Sequence, residues 1–186
     1  MKNKFIIITI IIIFVISIYQ FFGKNNQNYI QVSGEQVSTI IENEKITRLS
    51  SVEILSDDIP ITIISYRTND EIGAIEALNN NGKLEYRKSI ATDINNEKKV
   101  EVLGVNGGFR YIIITFYDEE LLNNTKNISV LYNGNLTNIN DIKVDRKSYI
   151  IPFEGSPIRK RNTVKLEFWD SENNIIYNYP GKSKGD

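Results

Sequence analysis

FRYIIITFY, residues Phe109–Tyr117, decides how this sequence reads. Apart from Arg110 and Thr115, every residue in it is apolar or aromatic. The run is short, rich in isoleucine and aromatic side chains, and unbroken rather than alternating. That is the signature of a strand with neighbours on both sides, so it is read as the central strand.

Working outward, period-two and short β-rich runs continue on both sides. The expected strands are Val52–Leu55, Ile61–Tyr66, Ile72–Leu78, Leu84–Thr92, Val100–Val105, Phe109–Tyr117, Ile128–Asn133, Tyr149–Phe153, Val164–Trp169 and Ile175–Tyr179. Turn residues separate them: Asn79-Asn80-Asn81-Gly82, Asn106-Gly107-Gly108, Asn133-Gly134 and Ser171-Glu172-Asn173-Asn174. Pro60, Pro152, Pro157 and Pro180 fall at or near strand ends, where a missing N–H is tolerated. In Val164–Trp169, Val164, Leu166 and Phe168 alternate with Lys165, Glu167 and Trp169, so that strand has one buried face.

One helix precedes the strands. Ser33 and Gln36 have capping-box spacing, and Val37, Ile40 and Ile41 share a helical face, which predicts a helix over roughly 34–47 that covers the sheet. The fold class is therefore mostly β: a β-sandwich of about ten short strands with one short amino-terminal helix, a partly closed barrel being the second choice.

Farther out, Phe5–Phe22 (FIIITIIIIFVISIYQFF) contains no charge. As a helix its 18 residues would span about 27 Å, enough for a bilayer core at the short end of the range. The run ends in bulky Tyr19, Phe21 and Phe22 rather than the small residues that a signal peptidase needs, so an uncleaved single-pass anchor is expected. Lys2 and Lys4 before it, against Lys24 after it, place the amino terminus inside and the rest outside the cell membrane. The expected organisation is a cytoplasmic stub at 1–4, a transmembrane anchor at 5–22, a linker at 23–32, an extracytoplasmic β-rich domain at 33–180 and a flexible tail at 181–186. Asp118–Asn124 reads as a polar connector, so a subdivision near 118–127 is the alternative to one continuous domain.

Composition narrows the chemistry. The 186 residues include no Cys and no His, and 22 basic against 23 acidic residues give a net charge of −1. Disulfides, thiolate or imidazole metal sites, Ser-His-Asp triads and Cys-His pairs are all ruled out. The balanced charge argues against a nucleic-acid partner. Ile (33 residues) and Asn (23) are abundant, as expected from an AT-rich genome, so Asn abundance carries no argument.

The layout can be set beside known proteins on four features: the helix after the anchor, the Phe109–Tyr117 strand, Ile128–Gly134, and the closing FWDSENNIIY of Phe168–Tyr177. It resembles small membrane-anchored extracytoplasmic domains of unknown function from spore-forming bacteria. The resemblance implies architecture and transfers no functional residue.

No catalytic constellation is legible. Asp57-Asp58, Asp70-Glu71 and Asp118-Glu119-Glu120 lack calcium-loop spacing and read as solvated turns. There is no S-x-x-K, G-x-S-x-G or G-x-G-x-x-G, and no cofactor is expected. Charge, however, is segregated. Residues 35–76 hold nine acidic and three basic residues, a balance of −6. Residues 143–165 hold Lys143, Arg146, Lys147, Arg159, Lys160, Arg161 and Lys165 against Asp145 and Glu154, a balance of +5. Those seven cations are the candidate contact for an anionic surface: lipid headgroups, an envelope polymer or a protein. Paired Tyr111/Tyr117 and Tyr177/Tyr179 suggest a sugar-stacking platform as an alternative, and paired carboxylates a hydrolase. The reading that follows is a membrane-anchored extracytoplasmic interaction domain, tethered through residues 5–22, with a partner in the envelope or membrane.

Overall fold

The computed structural model describes residues 28–106, 110–132, 135–153 and 164–180. The expected stub, the anchor, residues 23–27 of the linker and the tail at 181–186 lie outside the described residues. Among the described residues no helix is long and apolar enough to cross a membrane.

The chain is mostly β, and the described residues form twelve strands in three antiparallel sheets and two helices. In order these are β1 (Tyr29–Ile30), α1 (Gly34–Glu44), β2 (Thr47–Ser56), β3 (Ile59–Arg67), β4 (Glu71–Asn80), β5 (Lys83–Asp93), β6 (Val100–Asn106), β7 (Arg110–Phe116), α2 (Glu119–Asn124), β8 (Asn127–Tyr132), β9 (Asn135–Ile139), β10 (Ser148–Pro152), β11 (Val164–Trp169) and β12 (Ile175–Tyr179). Sheet A holds β1 to β5, sheet B is β10-β7-β6, and sheet C is β12-β11-β8-β9.

These sheets are stacked, and β7 shows why. Its residues Tyr111 to Phe116 are all buried. Tyr111 and Ile113 pack with Ile61, Ile63, Ile72 and Ala74 of sheet A. Ile112, Ile114 and Phe116 pack with Ile128, Val130, Leu166 and Phe168 of sheet C. Sheet B is thus the middle layer, which is why its central strand cannot afford an alternating pattern. A fourth layer lies on the far face of sheet A, where Val37 and Ile40 of α1 meet Ile64, Tyr66, Ile75 and Ala77. The β-bulge opposite the Ala74–Ile75 step places its extra residue, Ser89, in β5, so β4 keeps its alternation and Ile72, Ala74, Glu76 and Leu78 face sheet B. Sheets A and B also approach along both sides, with β2 beside β10 and β5 beside β6.

Local chemistry sets the element ends. Ser33 caps α1 with both halves of the capping box present: its Oγ accepts from Gln36 N, and Gln36 Oε1 accepts from Ser33 N. The helix ends at Glu44, three residues short of the expected boundary, with Lys45 capping it in the left-handed region. The β4–β5 turn is Asn81-Gly82, both with positive φ, as a two-residue hairpin requires. Asp57 and Asp58 make the equivalent turn between β2 and β3.

Three expectations need correction. The linker ends earlier than residue 32: Tyr29 and Ile30 pair with Asn80 and Asn79, and Val32 is buried against α1. The described residues hold two helices rather than one, because the polar connector at 118–124 contains α2. There Asp118 caps the amino end and Leu121 and Leu122 are buried. Two short strands were not expected at all, β1 and β9, which is why twelve replace about ten.

Candidate functional site

At one end of the stack, four segments surround an open hollow. Asp118 Oδ1 accepts from Leu121 N at 2.9 Å and so starts α2. Thr125 closes it by donating from both its hydroxyl, at 2.6 Å, and its N–H to the Leu121 carbonyl. Opposite stands the β11–β12 turn. Asp170 Oδ1 accepts from Glu172 N (2.9 Å) and Asn174 N (2.8 Å), and Oδ2 accepts from Asn174 Nδ2 (3.1 Å). Those bonds, the Asn174 backbone bond first, hold the Asp170 carboxyl below the usual carboxylate range. The hollow encloses about 580 Å³. Leu121, Ile142 and Ile176 supply apolar lining, and Lys99, Lys126, Glu120, Asp170 and Glu172 supply charge. Lys126 pairs with Asp141 at 2.9 Å and Lys99 with Asp118 at 3.1 Å, so both lysines are already matched. Ile176 stays 38% exposed, while Leu121 and Ile142 are buried. The hollow thus sets one exposed apolar side chain beside charges of both signs.

Two carboxylates lie inside the fold, and both are consumed there. Glu76 is 4% exposed. Its Oε2 accepts from Arg87 Nε (3.1 Å) and Nη2 (2.8 Å), and its Oε1 accepts from the Tyr111 hydroxyl (3.0 Å). Tyr111 also meets the Ser89 hydroxyl, and burial pushes its phenol far above the ordinary value. Glu76 borders a second hollow of about 330 Å³ with Leu78, Glu85, Tyr86 and Arg87. Glu101, 5% exposed, accepts from Lys98 Nζ at 2.8 and 3.0 Å. Each buried charge therefore has its counter-charge, the condition for burying it at all. Nothing in the sequence pattern flagged either residue beyond a lone acid in an apolar strand. Among the described residues no group of three carboxylates gathers as a metal cage.

The four described basic candidates do not all lie together. Lys143, Arg146 and Lys147 lie in the β9–β10 loop. Lys147 Nζ pairs with Glu119 at 2.7 Å. The Arg146 guanidinium sits 5.1 Å from the centre of the Tyr149 ring, with its Nε donating to Ser148 O. Lys143 meets the Tyr149 hydroxyl through its backbone, N–H donating at 2.8 Å. Lys165 is exposed on β11, opposite Leu131, towards the other end of sheet C. Arg159, Lys160 and Arg161 lie outside the described residues.

Nor do the tyrosines form an outward platform. Tyr111 is buried between sheets A and B, and Tyr117 is half-buried beside them. Tyr177 and Tyr179 face inward, Tyr177 edge-on to Phe168 at 5.3 Å. Of the acidic pairs, Asp57-Asp58 forms a turn, and Glu71 accepts from the Tyr66 hydroxyl at 3.0 Å. No protein-family model, curated protein or solved structure matches the chain.

Proposed function

We propose that this chain is a single-pass, membrane-anchored extracytoplasmic interaction domain with a β-sandwich body, and that it holds a membrane or envelope protein in the hollow between α2 and the β11–β12 turn. The observation that carries this reading is the hollow's make-up: exposed Ile176, backed by buried Leu121 and Ile142, in a groove rimmed by Glu120, Asp170 and Glu172. Its acids make turns and caps, while the desolvated acids of the fold, Glu76 and Glu101, are locked into internal pairs. A hydrolase would need the reverse, with desolvated carboxylates facing a cleft. A protein segment fits better than a charged polymer, because the rim lysines are already neutralised by Asp118 and Asp141.

Site-specific photocrosslinking tests the reading. A photoreactive amino acid at Ile176 in the full chain, irradiated in intact cells, should give a discrete protein adduct. The same residue at Leu136, exposed on β9, should not. An adduct at both positions, or at neither, removes the groove as the docking site. Protease shaving of the same cells reports topology, and protection of residues 30–186 overturns the outside location.

A further inference from the structure

The first strand fixes how the domain stands on its membrane. β1 is only two residues long, and its register is Tyr29↔Asn80 and Ile30↔Asn79. Because β1 runs antiparallel to β4, stepping back from Ile30 to Tyr29 to Asn28 moves past Asn80 and off the end of sheet A. Asn28 O indeed accepts from Asn81 N, in the β4–β5 turn, at 3.0 Å. The chain therefore meets the domain at the hairpin tips, travelling along the long axis of the sheet. The β2–β3 turn lies at the same end, since Thr62 of β3 pairs with Ala77 of β4 and Ile54 pairs with Ile61. Two of the exposed large apolar side chains are there, Leu55 at 73% and Ile30 at 44%.

Chain length supplies the rest. Phe22 closes the apolar run, and six residues lead from it to Asn28. They reach about 20 Å at most, even fully extended. β4 is ten residues long, about 33 Å from tip to tip. Its far end carries the turn at Thr68–Asp70 and the departure of β5 at Ile94, whose N–H donates to Asp70 O and which, like Tyr117, packs on the core between sheets A and B. The docking hollow starts there, through Lys99, whose carbonyl accepts from Tyr117 N and Asp118 N.

We propose that the tips of the β2–β3 and β4–β5 hairpins, with Leu55, Ile30 and Lys83, rest on the surface of the bilayer that holds the anchor, so that the hollow points away from it. The short tether and its axial approach impose the orientation, and the two bare apolar side chains give the tips an interfacial contact. This rests on residues 5–22 being the anchor, and the experiment separates the two.

The chain has no cysteine, so single substitutions label one site each. Lys83→Cys, in the β4–β5 tip, and Glu172→Cys, at the hollow, would each carry an environment-insensitive fluorophore. The full chain would be reconstituted in phosphatidylcholine vesicles with a nitroxide on the lipid headgroup. Quenching is expected to be at least about threefold stronger at 83 than at 172, given roughly 30 Å of strand between the two ends. Equal quenching, or stronger quenching at 172, from protein that co-floats with the vesicles overturns the orientation and leaves the anchor standing. Protein that does not co-float overturns the anchor and the orientation with it. A flexible insertion of about twelve residues after Lys24 roughly doubles the reach of the tether. It should erase the difference between the two labels, and a difference that persists overturns the tether as its cause.

Discussion

Replacing Ile112, Ile113 and Ile114 by alanine, one at a time, tests the layered stack at its centre. All three are at most 1% exposed. Each substitution removes three carbons, worth about 2.4 kcal/mol at ~0.8 kcal/mol per buried methylene. The cavity left in a strand packed on both faces adds to that, for about 3–4 kcal/mol in total. In a chain of this size the loss should lower the melting temperature by about 10 °C. Leu136→Ala, at a position 66% exposed, is the control. It should cost no more than about 0.5 kcal/mol. The assay is urea and thermal unfolding of the full chain in detergent micelles, followed by far-ultraviolet circular dichroism. The comparison between neighbours matters most. Ile113 faces sheet A, while Ile112 and Ile114 face sheet C. A strand with one wet face would show alternating costs, whereas a middle-layer strand shows three large ones. If Ile113→Ala came within about 1 kcal/mol of the Leu136 control, the claim that sheet A covers sheet B would be refuted.

Two further outcomes follow from single side chains. Gly73→Ala should cost about 2–3 kcal/mol by the same urea midpoint, because a methyl group there meets the Ile90 carbonyl and lies 2.7 Å from the Tyr66 hydroxyl. An unchanged midpoint would mean that β4 and β5 separate freely at that point. Tyr117 is shifted chiefly by burial, with the Glu101 charge adding to it, and its phenol is pushed up to about 12. A phenol raised above its unfolded value of about 10 stabilises the fold fully below pH 10 and loses that contribution as pH climbs to 12. Tyr117→Phe should therefore make the fall in urea midpoint over that window shallower. An identical slope in variant and parent would exclude Tyr117 as a contributor.

The parts of the fold that show in the sequence are those where one local rule decides. FRYIIITFY has no polar face to present, so it must be internal. Asn81-Gly82 is built for two positive φ angles, and Ser33 with Gln36 satisfies a helix start within four residues. The parts that do not show are those where a distant partner decides. NLTNI at β9 has little strand character of its own and is held by pairing with β8. Tyr29-Ile30 becomes a strand only because the edge of β4 is vacant at Asn79 and Asn80. EELLNN looks like a connector until Leu121 and Leu122 find the core shared by sheets B and C. The same reason hid the candidate site. The hollow joins Lys99, α2, Ile142 and the 170–176 turn, and no local pattern links those four stretches. Glu76 is matched by Arg87 eleven residues later and Tyr111 thirty-five residues later, which composition cannot reveal.

The charge segregation along the chain has a different fate from the one its numbers suggest. The −6 and +5 stretches would form a dipole only if each stayed together in space. Instead the acidic stretch takes its counter-charges from β5, where Arg87 holds Glu76 and Lys88 lies between Glu44 and Glu71 at 3.6 and 3.4 Å. Of the described cations of the basic stretch, Lys143, Arg146 and Lys147 lie in the β9–β10 loop and Lys165 towards the other end of sheet C, and Lys147 is answered by Glu119 of α2. Pairs this exposed contribute little stability each, but they cancel the field at distances beyond about 8 Å in physiological salt. On the proposed function, what would select a partner is short-range: the shape of the hollow, its exposed Ile176, and the direction it faces. On the proposed topology, orientation on the membrane would do the work that long-range steering would otherwise do, because a groove held pointing away from the bilayer would meet extracytoplasmic partners without needing a net charge to draw them in.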